Sequence, residues 1–196
     1  MKIRARLGIS ADGYVTTPGG WPSQTADPAF VSGESHGIRE FLEGCEQALM
    51  GRTTFEPALT NSRWPWPDLG VFVLGSHRPE GTPDDVVVDH DPARLLEAIR
   101  STNRGGDVHL IGGPRTIETY RALGALDALE LVVVPILLGG GMRLTDGLSP
   151  DAGLTFHRSH ELPGGSVEIV YRVSGDAGLA GRGEAWAPAS QRRSDE

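Results

Sequence analysis

Three short stretches carry the kinds of groups that hold phosphates: Gly51-Arg52-Thr53-Thr54, Ser76-His77-Arg78 and Ile111-Gly112-Gly113-Pro114-Arg115-Thr116. Each stands at the end of an apolar run of strand length, and the first and third lead at once into helix-like sequence. A strand that ends in glycine and opens a helix leaves unpaired backbone N–H groups at the helix start, where the macrodipole also favours negative charge. Two bridging phosphates suit such helix starts and nearby hydroxyls, whereas a dianionic phosphate monoester suits arginine. The three stretches together therefore point to a dinucleotide with an extra 2′-phosphate, NADPH rather than NADH. Taken singly, Arg52 and Arg78 read equally as solvated surface charges and Gly112-Gly113 as a tight strand-to-helix turn. The set carries the expectation.

Other chemistries find little support. The glycine-rich dinucleotide fingerprint, the phosphate-binding P-loop and the G-x-S-x-G nucleophile motif are absent. Cys45 is the only cysteine, which rules out an intrachain disulfide and a sulfur-rich metal site. His157 and His160 lie three apart on an expected strand, hence on opposite faces, and are poor co-ligands; no metal is expected. With 18 basic and 26 acidic residues the formal charge is −8, which disfavours nucleic-acid binding. No apolar run has the length of a signal peptide core or a membrane span. The composition suits a cytoplasmic protein that engages neither membrane nor nucleic acid.

The elements that must position these groups can be read in order. Residues 2–10 alternate, with Ile3, Ala5, Leu7 and Ile9 on one side and Lys2, Arg4 and Arg6 on the other, as in a half-buried strand. A turn at Ala11-Asp12-Gly13-Tyr14 opens a flap-like loop through Trp21. Asp27-Pro28 reads as an N-cap with proline at the first helical position, predicting a helix to about Glu43. Strands are predicted at 47–51, 71–75, 85–89, 107–112 and 129–134, and helices at 52–56, 93–101 and 116–123. The runs 154–162 and 167–173, joined by Pro163-Gly164-Gly165, form a hairpin signal. Strands alternating with helices and then a hairpin give a mostly parallel sheet with helices on both faces, which binds ligands at the carboxyl ends of its strands. One domain over residues 1–174 and a flexible tail over 175–196 complete the expected organisation.

The run Met50-Gly51-Arg52-Thr53-Thr54-Phe55-Glu56, the strand end Val73-Leu74-Gly75-Ser76 and Ile111-Gly112-Gly113-Pro114-Arg115 resemble, in order and spacing, the dihydrofolate reductase superfamily. Ser10-Ala11-Asp12-Gly13 and Pro135-Ile136-Leu137-Leu138-Gly139 resemble the pyrimidine reductase domain of bacterial riboflavin biosynthesis. The resemblance implies a three-layer α/β/α fold on an eight-stranded, mostly parallel sheet with a C-terminal antiparallel hairpin. It implies NADPH across the strand ends, with Arg52, Thr53 and Thr54 on phosphates, Ser76, His77 and Arg78 around the adenosine 2′-phosphate, and Gly112 to Thr116 cradling the pyrophosphate. The reaction it implies is hydride transfer to an electron-poor C=N or C=O carbon of a small heterocycle or carbonyl compound.

The same resemblance nominates Asp27 and Asp12 as catalytic carboxylates, with Trp21 and Phe30 on the substrate side. Asp27 also reads as a plain helix cap and Asp12-Gly13 as a plain turn. Two departures point away from folate. Pro67-Asp68-Leu69-Gly70 stands where an arginine for the folate tail belongs, and Val132 stands where a threonine should support the pterin-binding acid. On the riboflavin side, Ile136 follows Pro135 where that family often has a basic residue. A homodimer is expected because the resembling domains pair and the apolar run from Leu131 to Leu138 exceeds one strand's needs. The competing expectation is a nucleotide-binding or regulatory protein that retains the fold without the chemistry.

Overall fold

The computed structural model describes residues 1–174. The expected tail at 175–196 lies outside the described residues. Eight strands form one sheet: β1 (Ile3–Ser10), β2 (Cys45–Gly51), β3 (Gly70–Leu74), β4 (Val87–Asp89), β5 (Asp107–Gly112), β6 (Ala128–Val134), β7 (Leu154–Glu161) and β8 (Val167–Val173). Their spatial order is β4-β3-β2-β5-β1-β6-β8-β7. The pairs from β4 through β6 are parallel, and β6–β8 and β8–β7 are antiparallel. The expected three-layer architecture with its closing hairpin is thus present. β6 stops at Val134 because Pro135 has no N–H to continue the ladder. Among the described residues no helix is long and apolar enough to cross a membrane.

Helices α3 (Pro92–Thr102) and α4 (Pro114–Ala122) cover one face of the sheet. Their Leu95, Leu96, Ile99, Ile117 and Tyr120 pack on Ile3, Ala5, Leu49, Val108, Leu110 and Leu129 to make the main core. The Asp91 carboxylate caps α3 through the amides of Ala93 and Arg94, as the Asp91-Pro92 pair predicts. On the opposite face, α2 (Arg52–Phe55) and the 3₁₀ turn Glu56–Thr60 bring Phe55 onto Ala48, Met50, Val71 and Val73, with Trp64 and Trp66 outside. That turn runs through Pro57, where a stop was expected, because proline is accommodated at the first positions of a helical turn.

The alternation of β1 predicts a solvated polar side, and the structure corrects this. Arg4 and Arg6 are 8% and 6% exposed, covered by the segment that carries α1 (Ile38–Leu42). Arg4 Nε lies 2.6 Å from Glu130 Oε1 and its Nη1 3.4 Å from Asp107, while Arg6 Nε lies 3.0 Å from Glu168. Both guanidinium groups sit over the ring of Phe41, at 4.4 and 5.2 Å from its centroid. A charged strand face is buried only when its charges are paired, and here each has a carboxylate on a neighbouring element.

His109, on β5, is enclosed in this layer. Its Nε2 is 3.2 Å from the Arg6 carbonyl, and its Nδ1 is buried without a partner. Burial pushes its pKa down to about 3, and the adjacent arginines push the same way. The folded protein therefore keeps His109 neutral, while the unfolded chain protonates it near pH 6.5. Its stability contribution is full above pH 6.5 and is lost as pH falls toward 3, amounting to roughly 2 kcal/mol at pH 5. Urea titrations at pH 7.5 and pH 5 are expected to show this loss, and His109→Leu to remove most of it; an unchanged pH slope in the variant would assign the acid sensitivity elsewhere.

The predicted helix from Asp27 to Glu43 is replaced by turns, with only α1 helical. Ser35 Oγ accepts from the Val31 amide and donates to the Ala29 carbonyl, and Asp27 Oδ1 accepts from the Ala29 amide. Such side-chain bonds compete with the helical ladder. Gly33, His36 and Gly37 then take positive φ values of 77°, 59° and 67°, which no right-handed helix tolerates.

Candidate functional site

The carboxyl ends of β2, β3 and β5 lie side by side, and so do the three phosphate-capable stretches. Gly51 pairs with Leu74 and Met50 with Gly112. A Cβ on Gly75 would stand 3.0 Å from Arg52 Cβ, and one on Gly51 would stand 2.5 Å from Thr116 Oγ1. Thr54 Oγ1 is 4.0 Å from where a Cβ of Gly113 would be. Glycine at 51 and 75 therefore lets the three strand ends close into one ledge.

Helix α4 starts at Pro114, two residues before its predicted start, with Gly113 as N-cap. Proline at this position leaves no orphan N–H of its own. Gly113 supplies no side-chain cap, and a Cβ on Gly112, at φ 134°, would meet only open space. The Gly112–Gly113 peptide is cis. Arg115 is exposed, while Thr116 turns inward against Gly51.

Arg52 is half-exposed and paired with Glu56 at 2.6 Å. An exposed i,i+4 pair is worth only a few tenths of a kcal/mol, so a phosphate can compete for this arginine. Ser76, His77 and Arg78 are exposed beyond β3. Arg78 Nη1 donates to the Val86 carbonyl at 2.8 Å, and its Nη2 donates to those of Thr82 and Pro83. In this state the side chain closes the turn at 79–86. The open glycine ledge, the uncapped helix start and the flanking arginines and hydroxyls fit a dinucleotide phosphate chain.

After β1 the flap returns against the segment that follows β6. Tyr14 bridges Arg143, and the Val15 amide donates to the Met142 carbonyl at 2.8 Å. Asp12 anchors this arrangement. Its carboxylate accepts from Ser10 Oγ at 2.6 Å, from the Leu138 amide at 3.1 Å and from the Gly139 amide at 2.7 Å. Ser10 first, then the Gly139 amide, hold its pKa down at about 2. The carboxylate thus ties the flap to the segment that follows β6. Arg143 adds a second tie, with its guanidinium 4.3 Å from the Tyr14 ring centroid and its Nη2 3.0 Å from the Tyr14 hydroxyl.

From the flap, the 3₁₀ turn Ser23–Ala26 crosses β1 at Gly8, where any side chain would collide with Gln24. That crossing delivers Asp27 to the same face as Arg4 and Arg6. Asp27 is not a helix N-cap as predicted; it ends the 3₁₀ turn, its Oδ1 accepts from the Ala29 amide, and its Oδ2 lies 2.9 Å from His36 Nε2. The Ala29 amide and then His36 hold the carboxyl below the usual carboxylate range. Both side chains are about nine-tenths buried. They line a cavity of about 710 Å³ bounded by residues 27–44 and by the turn between β7 and β8. Phe30 stacks on His36 with ring centroids 6.1 Å apart. Trp21 is 58% exposed on the flap, apart from this pair.

His36 escaped the sequence reading for a geometric reason. On the predicted helix, residues nine apart fall on opposite faces, so Asp27 and His36 could not have met. The glycines on either side of the histidine were the available signal that the segment turns. Arg143 gave no such signal, since its role depends on the flap reaching a segment more than a hundred residues away.

The fold recurs among known proteins. The chain is 22% identical over 174 residues to the uncharacterized protein YwjB of Bacillus subtilis, covering 84% of this chain and 94% of that protein. A riboflavin-biosynthesis structure from Shewanella sp. PV-4 superposes with a TM-score of 0.71 at 22% identity, covering 89% and 99% of the two chains. Dihydrofolate reductase of Enterococcus faecalis, solved with NADP(H), superposes with a TM-score of 0.63 at 16% identity, covering 88% and 96%. These likenesses place the fold among dihydrofolate reductase-like proteins. The family model of the RibD C-terminal domain matches residues 1–167, and the chain belongs to that family.

Proposed function

We propose that this protein is an NADPH-dependent reductase acting on a small heterocyclic or carbonyl substrate. The observation that carries the proposal is the convergence of Gly51–Thr54, Gly75–Arg78 and Gly112–Thr116 on one open ledge at the carboxyl ends of β2, β3 and β5; a cavity elsewhere on the sheet holds the buried Asp27–His36 pair. NADPH, when bound, supplies the hydride. The chain's own residues hold and orient it: Arg52, Thr53, Thr54 and the start of α4 on the bridging phosphates, and Ser76, His77 and Arg78 at the 2′-phosphate. Asp12 and Arg143 tie the flap to the segment that follows β6, and Asp27 faces the cavity assigned to the acceptor.

The absence of a cation at Pro67–Gly70 and of a hydroxyl at Val132 turns the proposal away from folate and toward a compact acceptor. The test is NADPH oxidation, followed at the nicotinamide absorbance, with pteridines, ribosylaminopyrimidines and quinones as acceptors. Turnover with at least one acceptor is expected; tight NADPH binding with no turnover across the panel would favour a binding or regulatory protein.

A homodimer is part of the same proposal. On the face that carries α3 and α4, the β6–β8–β7 end presents Leu131, Val133, Ile169 and Tyr171 half-buried, with Phe156 and Val167 61% and 37% exposed. The registers Leu131↔Ile169, Val133↔Val167 and Phe156↔Tyr171 align them into one apolar surface. Contiguous apolar surface of this kind marks an interaction site. The grounds are therefore a sheet face rather than the run to Leu138, since β6 ends at Val134 and Leu137 is 78% exposed. Light scattering is expected to give twice the chain mass, falling to a monomer in Ile169→Glu; a monomeric parent would refute the assignment.

A further inference from the structure

Within the cavity, the Asp27 carboxylate is held by the Ala29 amide and by one side chain. Its partner is the His36 imidazole, and several contacts hold that ring in place. The His36 backbone sits at φ 59°, its carbonyl accepts from Arg6 Nη2, and its ring stacks on Phe30. Arg6 is itself fixed by Glu168. Asp27 Oδ2 can only accept, so the neutral ring donates from Nε2; Nδ1 then carries a lone pair and is buried without a partner. A carboxylate bonded to one imidazole nitrogen fixes the tautomer, stabilises the imidazolium and favours a proton at the other.

We propose that Asp27 and His36 form one proton-holding unit facing the cavity, in which His36 positions the Asp27 carboxylate and carries the proton that the site delivers. The catalytic half of this rests on the reductase reading. In the reduction the acceptor carbon of C=N or C=O gains the hydride and NADPH becomes NADP⁺. His36, neutral at rest, first takes a proton from water at Nδ1; its Nε2 proton then passes to the Asp27 carboxylate as Asp27 hands it on to the heteroatom, and exchange with water returns His36 from the Nδ1–H to the Nε2–H form. The acceptor is thereby reduced by two electrons with one proton consumed. The other charged groups facing the unit are Arg4 and Arg6 from β1, Glu168 from β8, and Arg158 and His160 from β7, with Glu34, Glu40 and Glu43 on its own segment. Glu168 is bonded to Arg6 and Arg158, so it is already neutralised from two sides.

The test has two readouts on the full chain. Imidazole ¹⁵N NMR of the parent is expected to show the Nε2–H tautomer for neutral His36, and Asp27→Ala is expected to shift the ring's ¹⁵N signals toward a mixture of the two tautomers. Unchanged His36 ¹⁵N signals in Asp27→Ala would overturn the pair. With an acceptor in hand, His36→Asn, which tolerates the positive φ, is expected to lower kcat by about 10²-fold and to remove one limb of the pH–rate profile, with the KM for NADPH unchanged. A pH–rate profile identical to the parent would overturn the proton role. Failure of every acceptor while the NMR shift persists contradicts the reductase reading and leaves the pair standing.

Discussion

Arg4→Met is expected to destabilise the fold by about 3–5 kcal/mol, the largest effect of any single substitution considered. Glu130 is fully buried, its Oε1 is 2.6 Å from Arg4 Nε, and its Oε2 has no partner. Desolvation already raises the Glu130 pKa, and Arg4 is the chief opposing influence. Removing the guanidinium leaves a carboxyl that must be protonated or buried as a bare charge. The double variant Arg4→Met, Glu130→Leu is expected to recover most of the loss, since a buried pair replaced by apolar groups of similar volume is often neutral. Urea unfolding of the parent and the three variants forms the cycle. A single-variant loss under about 1 kcal/mol would mean that the layer admits water and behaves like a surface.

Gly51→Ala is expected to act on the ledge. Gly51 has φ −79°, so alanine costs nothing in backbone strain there. The cost is contact, because the new methyl would stand 2.5 Å from Thr116 Oγ1 on a buried side chain. Overpacking of this kind costs about 1–3 kcal/mol. It pushes α4 from the end of β2 and opens the ledge, so NADPH affinity is expected to fall about tenfold or more, equivalent to ~1.4 kcal/mol. Thr116→Ala removes the colliding hydroxyl, and the double variant is expected to regain both stability and affinity. A double variant that stays as weak as Gly51→Ala would show that position 51 matters for another reason.

The strands, the hairpin and the ledge were legible in the sequence because each is specified locally. Apolar runs bounded by glycine set β2, β3 and β5, and Asp91-Pro92 caps α3 as its chemistry dictates. The layer over the other face was not legible. Arg4 and Arg6 alternate with apolar residues just as a solvated strand face does, and only the carboxylates of Glu130 and Glu168, far along the chain, reveal that they are buried. The Asp27 segment misled in the same way: the same Asp-Pro pair that caps α3 here precedes a turn, because Ser35 and the glycines at 33 and 37 offer the backbone a competing set of bonds. The candidate site was therefore half visible, its glycine ledge written in local motifs and its carboxylate–imidazole pair formed by a turn that periodicity cannot show.

The central claim is that the ledge binds a dinucleotide with a 2′-phosphate. Calorimetric titration of the full chain with NADPH and with NADH tests it most directly. NADPH is expected to bind at least about tenfold more tightly, since charge-assisted bonds to one phosphate are worth ~1.5–3 kcal/mol, and Arg78→Ala is expected to erase the difference while leaving NADH binding in place. Equal affinity for the two cofactors, or no binding of either, would contradict the claim; equal loss for both in Arg78→Ala would assign that arginine to closing the turn at 79–86 alone.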